Sequence, residues 1–200
     1  PGGGCADRTT LMSQYLPVAE LAKAAHWKGT YDKEPDRSEN SWHFLEAGGR
    51  RFLVLCLEFG PRNDVLRWAN DVVGAHPDRE VILLTHAHIY HDDTRYDQVR
   101  FGKKQNHNPH TYFAKAQPDI NDGEEVWTKL IARHENFILT LNGHVTADGL
   151  GRFVSATPKG RPVPQVLVNF QMKPNGGDGW LRLLEMRRDG TMRTFDYSPT

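Results

Sequence analysis

The sequence predicts a mixed α/β fold in which parallel βαβ units come first and antiparallel strands follow. Runs at residues 81–85 and 137–141 that are apolar except for one Thr each are typical of strands that are buried on both faces of a sheet. A segment of helical periodicity precedes each run, so each strand–helix–strand passage should give parallel neighbours. From residue 152 onwards, apolar and polar residues alternate in short segments that are separated by Pro and Gly, a pattern that favours antiparallel strands.

The composition fits a single domain over residues 1–200 that can bury a core. Apolar residues make up 38% of the chain and 25 basic residues balance 25 acidic ones, so the charge gives no argument for a nucleic acid or an anionic membrane as partner. No stretch approaches the roughly 20 apolar residues that cross a bilayer, and we expect a soluble chain. Cys5 and Cys56 are too few for a disulfide framework.

The first residues, Pro-Gly-Gly-Gly, have a composition that usually belongs to a loop inside a longer protein. There is no initiator Met and no signal peptide, so we expect a processed product or a fragment. Residues 8–21 predict one or two short helical turns that are broken at Pro17. Residues 26–40 are polar and rich in Gly, Pro and Asp, and they predict a loop.

A hairpin is predicted next, because Gly48 and Gly49 stand between the apolar runs 41–47 and 50–58. Apolar residues at helical spacing then predict a helix over residues 62–75. The strand at residues 81–85 should therefore lie parallel to the second strand of the hairpin, which brings Glu58 and Phe59 near the polar residues that follow it.

Residues 90–121 show little periodicity, and a loop of this length in a compact domain is usually functional or poorly ordered. Asp122 and Glu125 have the spacing of a capping box and predict the start of a helix that leads into the strand at residues 137–141. The remaining strands are predicted at residues 152–155, 165–171, 180–186 and 192–197, the last two joined by a turn at residues 189–190.

Two histidines carry the main functional expectation. His86 and His144 each follow a buried strand, and the carboxyl ends of parallel strands meet at one edge of a sheet. Neutral imidazole is a common ligand for zinc, iron and manganese, so two such residues would give half of a coordination shell. The alternative is that each histidine only caps the sheet edge by hydrogen bonding.

Several other polar residues are weaker candidates. Residues near His86 could contact a substrate, and Arg95 could bind a phosphate or form a surface ion pair with a neighbouring aspartate. His107 and His110 could fold over the opening, although a solvated loop is the favoured interpretation for each. Asn169 and Gln171, which are expected on a late strand, could hold the metal ligands in position without contacting the metal. The substrate or supporting candidates are His88, His91, Asp92, Asp93, Arg95, Asn169 and Gln171.

The chain resembles the calcineurin-like metallophosphoesterases, in particular a group of bacterial members. The matching segments are residues 8–17, 57–62, 81–86, 142–145 and 175–183, in this order, and together they extend over nearly all of the chain. The resemblance implies an αββα sandwich whose two sheets hold a two-metal site of divalent or trivalent Mn, Fe or Zn. His86 matches the family's lone strand-end histidine, and His144 matches the first His of its Gly-His-x-His motif.

The chain departs from the family pattern in two ways. The Asp-x-His, Gly-Asp-x-x-Asp and Gly-Asn-His-Asp/Glu motifs are not present, so the chain looks like the C-terminal half of such an enzyme. Thr146 stands where the family has the second His of Gly-His-x-His. Two ligands to one ion are fewer than the three that catalytic zinc sites usually use, so this chain alone should lack a complete active site.

What the resemblance implies for the complete enzyme is metal-assisted hydrolysis of a phosphoester, with a small molecule or a phosphoprotein as substrate. One alternative is a non-catalytic, truncated chain that dimerises through the sheet face its missing half would cover. Another is a metallo-β-lactamase-like hydrolase, because His86, His88 and His91 are similar to that fold's His-x-His-x-Asp-His motif, although Tyr90 replaces the Asp.

Overall fold

A seven-stranded mixed sheet forms the centre of the protein. The computed structural model describes residues 8–112, 119–187 and 189–199. Within these residues the strand order is β1-β2-β3-β4-β5-β7-β6, and β8 and β9 form a separate antiparallel pair. The strands are β1 Trp27–Thr30, β2 Ser41–Ala47, β3 Arg50–Leu57, β4 Glu80–Thr85, β5 Phe137–Asn142, β6 Leu150–Ala156, β7 Pro162–Val168, β8 Leu181–Met186 and β9 Met192–Tyr197.

Short helices connect the strands. Single 3₁₀ turns at Gly102–Lys104 and Ile131–Arg133 accompany them, and the helices that the described residues form are too short to cross a bilayer. The helices are α1 Met12–Tyr15, α2 Val18–Leu21, α3 Asn63–Gly74, α4 Gln98–Phe101, α5 Pro109–Tyr112, α6 Gly123–Lys129 and α7 Pro174–Gly177.

The predicted fold class is confirmed. Strands β3, β4, β5 and β7 are mutually parallel, and the pairs β1–β2, β2–β3 and β6–β7 are antiparallel. The Gly48–Gly49 hairpin is where the sequence predicts it, and both glycines adopt positive φ at the turn. The βαβ unit through α3 is also where the sequence predicts it. The two turns on either side of Pro17 are also confirmed as α1 and α2.

One face of the sheet is closed by α3 and α6. Helix α3 buries Val65, Leu66, Ala69 and Val73 at the 3.6-residue spacing that puts them on one side. Helix α6 begins with the predicted capping box: the Asp122 side chain accepts from the Glu125 N–H, and the Glu125 side chain accepts from the Asp122 N–H. Alternate residues of β3, β4 and β5 complete this core.

The opposite face carries the β8–β9 hairpin. Leu184, Met186 and Met192 pack on the cluster formed by residues such as Ile82 and Val166. This cover is partial, since a cavity of about 330 Å³ remains between the hairpin and the carboxyl ends of the parallel strands. Thr85 and Gly143, which directly precede the two strand-end histidines, line that cavity together with Leu84, Leu141, Asn142, Val166, Val168, Arg182, Leu184 and Thr194.

Three sequence expectations need correction. Residues 26–40 are not all loop, because β1 pairs antiparallel with β2 despite its polar composition. The long segment 90–121 contains α4 and α5, which are capped locally; the Asp97 side chain, for example, accepts from the Arg100 N–H. Strand β7 pairs parallel with β5, not antiparallel, and it ends at Val168.

Parts of other expectations lie outside the described residues. These are the composition of residues 1–4, Cys5, and residues 113–118 of the long segment. Cys56 is half-buried on β3, where burial raises the pKa of its thiol.

Candidate metal centre

Two turns at the carboxyl edge of the sheet bring His86 and His144 together. His86 follows β4 and His144 follows β5, and these strands are parallel neighbours. A hydrogen bond from the Gly143 N–H to the His86 carbonyl (3.2 Å) joins the turns. The sequence therefore places both imidazoles by the same rule, the common direction of parallel strands.

The two rings present nitrogens to each other. His144 Nδ1 lies 3.0 Å from His86 Nε2, and the ring centroids are 4.7 Å apart. Two zinc–nitrogen bonds of about 2.0–2.1 Å at a tetrahedral angle would separate the ligand nitrogens by roughly 3.3 Å. The observed distance is close enough that a small rotation of either ring would let both nitrogens bind one ion.

The backbone of His107 fixes the tautomer of His144. His144 Nε2 lies 3.0 Å from the His107 carbonyl oxygen, which can only accept, so Nε2 carries the proton. In the neutral ring Nδ1 then carries a lone pair, which accepts a hydrogen bond from the Nε2–H of His86. Metal-binding histidines usually donate their second N–H to a carbonyl or carboxylate in this way.

Both imidazoles are held in the neutral form. Burial lowers the pKa of His86, and burial together with the neighbouring imidazoles lowers the pKa of His144 to about 4. A neutral ring is the form that binds a metal ion. His144 Nδ1 carries no proton, whereas the 3.0 Å contact requires neutral His86 to carry its proton on Nε2, so His86 would have to move that proton to Nδ1 before Nε2 could bind an ion. His86 is nevertheless open to solvent on one side, which gives an ion access.

Aromatic rings surround the pair. Phe59 lies 5.3 Å from His86 and 5.0 Å from His144, measured between ring centroids, and Tyr112 lies 5.4 Å from His144. This confirms the expectation that Phe59 comes near the histidines. Glu58 instead binds the Arg62 guanidinium and the Asn40 amide beneath the edge, so its carboxylate has a structural role.

The backbone at His144 adopts an uncommon conformation. Its φ is 69°, in the left-handed region that residues other than Gly rarely occupy, and His107 has φ 63°. Such conformations cost of order 1–3 kcal/mol and persist only where surrounding contacts hold them, often at functional sites. Here the turn directs the His144 ring between His86 and the His107 carbonyl.

His88 does not belong to this surface. Its side chain is fully buried, and its Nε2 lies 2.9 Å from Gln165 Oε1 on β7. Burial lowers the pKa of His88 to about 3. A ring in the interior cannot contact a substrate, so that expectation is corrected; the ring also does not join His86 as a metallo-β-lactamase-like ligand set requires.

His91, Asp92 and Asp93 are exposed, but their contacts serve the local turn. The His91 ring packs on Tyr90, and Asp92 accepts from both the N–H and the hydroxyl of Thr94. Asp93 accepts from the Arg152 N–H at the start of β6 (2.7 Å). These three residues lie on the rim: Asp93 ties the turn to β6, and the contacts of His91 and Asp92 stay within the turn.

Arg95 is committed to structure. Its guanidinium binds Glu124 (2.6 Å) and the Ser155 hydroxyl (2.6 Å) and lies over the Trp127 ring. The expected ion pair with a neighbouring aspartate is therefore wrong, because the partner is Glu124. With both ends of the guanidinium engaged, Arg95 is not placed to take a phosphate.

Asn169 and Gln171 follow β7, so the expectation that they lie on the strand is wrong. The Asn169 amide donates to the Val145 carbonyl (2.9 Å), one residue beyond His144. Asn169 also accepts at its side chain from the Gln171 N–H. Asn169 thus supports the His144 turn from behind, as its proposed supporting role requires.

A second cluster of metal-ligand types lies at the start of α6. His110 Nε2 is 2.6 Å from Glu125 Oε2 and 3.9 Å from Asp122 Oδ2. The hydrogen bond to Glu125 raises the pKa of His110. Burial alone would raise the pKa of Glu125, but hydrogen bonds from His110, the Asp122 N–H and Lys129 outweigh burial and lower it to about 2. The cluster is an ion pair built on a helix cap.

Sequence reasoning missed three contributors to the site. The His107 carbonyl carries no sequence signal, since any residue has one. Tyr112 arrives through α5, in a segment without periodicity. Asn142 could have been found from the sequence, because it is a polar residue at the end of an apolar strand, directly before Gly143 and His144. In the structure Asn142 is buried.

Comparison with known proteins finds a relative of unknown role. The chain is 25% identical over 194 residues to an uncharacterized protein, YvnB, of Bacillus subtilis (strain 168). That match covers 94% of this chain but 13% of the relative's length. No family model matches the chain, and no solved structure matches it.

Proposed function

We propose that this chain is the C-terminal, metal-binding half of a calcineurin-like metallophosphoesterase, with His86 and His144 as ligands of one ion. The observation that carries the proposal is the 3.0 Å approach of His144 Nδ1 to His86 Nε2, with the His107 carbonyl fixing the tautomer. The same contact is a hydrogen bond from His86 Nε2 to His144 Nδ1, so metal binding is the property that separates a metal site from a hydrogen-bonded edge cap.

The residues of this chain would contribute binding and orientation. His86 and His144 would hold an Mn, Fe or Zn ion, which when bound polarises a phosphoryl oxygen and acidifies water. The His107 carbonyl keeps the His144 proton on Nε2, and Phe59 packs against both rings. Further ligands and a general acid would come from polypeptide outside this sequence, and such an acid is typically worth 10² to 10⁴ in rate.

The test is hydrolysis of 4-nitrophenyl phosphate by the chain with added Mn²⁺ or Zn²⁺. We expect slow, metal-dependent turnover that His144→Ala abolishes and His110→Ala retains. Turnover that survives His144→Ala would contradict the proposal. Metal binding without turnover above the buffer rate would instead favour the second candidate.

The second candidate is a non-catalytic chain that dimerises. The outer face of the β8–β9 hairpin favours it: cross-strand neighbours Leu183 and Phe195 are 53% and 38% exposed, beside Leu181 and Tyr197. Contiguous exposed apolar side chains mark association sites. The outer face would then pack against a second copy.

Sedimentation velocity over a range of concentrations tests the dimer. We expect Leu183→Lys to shift the chain towards monomer, while Val99→Lys, which changes an isolated exposed apolar residue, leaves association unchanged. A wild-type chain that stays monomeric at every concentration would rule the dimer out.

A further inference from the structure

The Asn142 side chain bridges the two turns that carry the histidines. Its Oδ1 accepts from the Ile89 N–H (3.2 Å), and its Nδ2 donates to the Ile89 carbonyl (3.1 Å). The amide therefore pairs with Ile89 in both directions, as a backbone residue does across a sheet. Strand pairing is thereby extended past the end of β4, into the turn that carries His86.

The same amide also acts on the His144 side. Asn142 Nδ2 lies 3.1 Å from the Gly143 carbonyl, one residue before His144. The side chain is 7% exposed, so a backbone group that lost this partner would find little water to replace it. The bridge thus defines where the two turns stand relative to each other.

We propose that Asn142 is the positioning residue of the His86–His144 pair, holding both turns at the separation that lets two imidazoles share one ion. This inference rests on the proposed metal site and deepens it. Without the amide, Ile89 would lose both of its bonds to Asn142, and the two turns would stay joined by the bond between the Gly143 N–H and the His86 carbonyl and by the contact between the two rings. The rings would then sample distances at which they do not bind one ion together.

Asn136 provides a matched control at the other end of the same strand. It directly precedes β5, and its Nδ2 donates to the carbonyls of His76 (3.2 Å) and Arg79 (3.0 Å), in the turn before β4. Asn136→Ala and Asn142→Ala therefore each remove an amide that ties β5 to a turn next to β4. They differ in which edge of the sheet they release.

The first measurement is zinc affinity by isothermal titration for wild type, Asn142→Ala and Asn136→Ala. Supporting residues around metal ligands are typically worth about 10- to 100-fold in affinity, and we expect a loss of that size for Asn142→Ala only. Asn142→Gln keeps the amide but displaces it by one methylene, and it should weaken zinc binding if Asn142→Ala does not fold. Equal losses in the Asn136 and Asn142 variants would overturn the proposal, since general destabilisation would explain both.

The second measurement does not depend on metal. The His86 and His144 ring centroids are 4.7 Å apart, so wild type and Asn136→Ala should give a nuclear Overhauser cross-peak between the rings. We expect Asn142→Ala or Asn142→Gln to lose it. If the wild-type chain binds no zinc, the metal proposal fails by itself, and the cross-peak still decides the role of Asn142: its persistence in the folded variants overturns that role.

Discussion

Two clusters in this protein bring histidine close to another metal-binding side chain, and they shift the pKa of histidine in opposite directions. At the carboxyl edge of the sheet, burial lowers the pKa of both His86 and His144. At the start of α6, the bond to Glu125 raises the pKa of His110. One cluster keeps its imidazoles neutral, and the other favours a charged imidazole.

The difference teaches that proximity of ligand types does not define a metal site. The possible ligand atoms of His110, Asp122 and Glu125 lie within 4.8 Å of one another. Each side chain nevertheless already has a partner: Asp122 accepts from the Gln98 and Glu125 N–H groups, and Glu125 accepts from His110. An ion there would have to displace several hydrogen bonds, whereas at the histidine pair it would displace one, the bond between His86 Nε2 and His144 Nδ1. His86 and His144 offer nitrogens that face each other, with the remaining His144 proton already engaged.

The largest expected effect separates the two clusters by metal affinity. His86→Ala or His144→Ala removes one of the two proposed ligands, and we expect zinc affinity to fall about 100-fold or more, since two-point coordination is lost. His110→Ala should change the affinity less than about twofold. Titration calorimetry checks both. Stronger loss in His110→Ala than in His144→Ala would reverse the assignment.

A smaller effect concerns stability. Asp122→Ala removes the helix cap of α6 and the acceptor for the Gln98 N–H, and we expect the free energy of unfolding to fall by about 2 kcal/mol. Zinc affinity should stay unchanged, because the histidine pair lies on other elements. Urea unfolding and calorimetry on the same variant test this; a lower zinc affinity without unfolding would place metal at α6.

The pH response should also differ in sign. As the pH falls from about 6.5 towards 4, His144 binds a proton in the unfolded chain but stays neutral in the folded chain, because folding lowers its pKa to about 4. His144 therefore makes the folded state less stable as the pH falls through this range. His110 contributes stability that is fully present below its unfolded pKa and is lost as the pH rises through its higher folded pKa. Histidine chemical shifts followed by NMR should show His144 titrating below 6.5 and His110 above it. Titration of both on the same side would contradict the comparison.

The fold and the histidine pair follow from local sequence patterns. The apolar runs, the Gly48–Gly49 turn and the Asp122 cap each depend on neighbouring residues, so the βαβ units could be predicted, and their parallel strands bring His86 and His144 to one edge. The roles of His88 and Arg95 depend on partners far along the chain, Gln165 and Glu124, which periodicity does not reveal. Likewise, the alternating pattern of residues 165–171 does not reveal that β7 pairs with β5, or that the two strands are parallel.

The most direct test of the central claim is the crystal structure of the chain soaked with zinc, with anomalous scattering measured at the zinc edge. We predict one peak between His144 Nδ1 and His86 Nε2, about 2.0–2.1 Å from each nitrogen. A peak at His110, Asp122 and Glu125 instead, or none at the histidine pair at saturating zinc, would contradict the account.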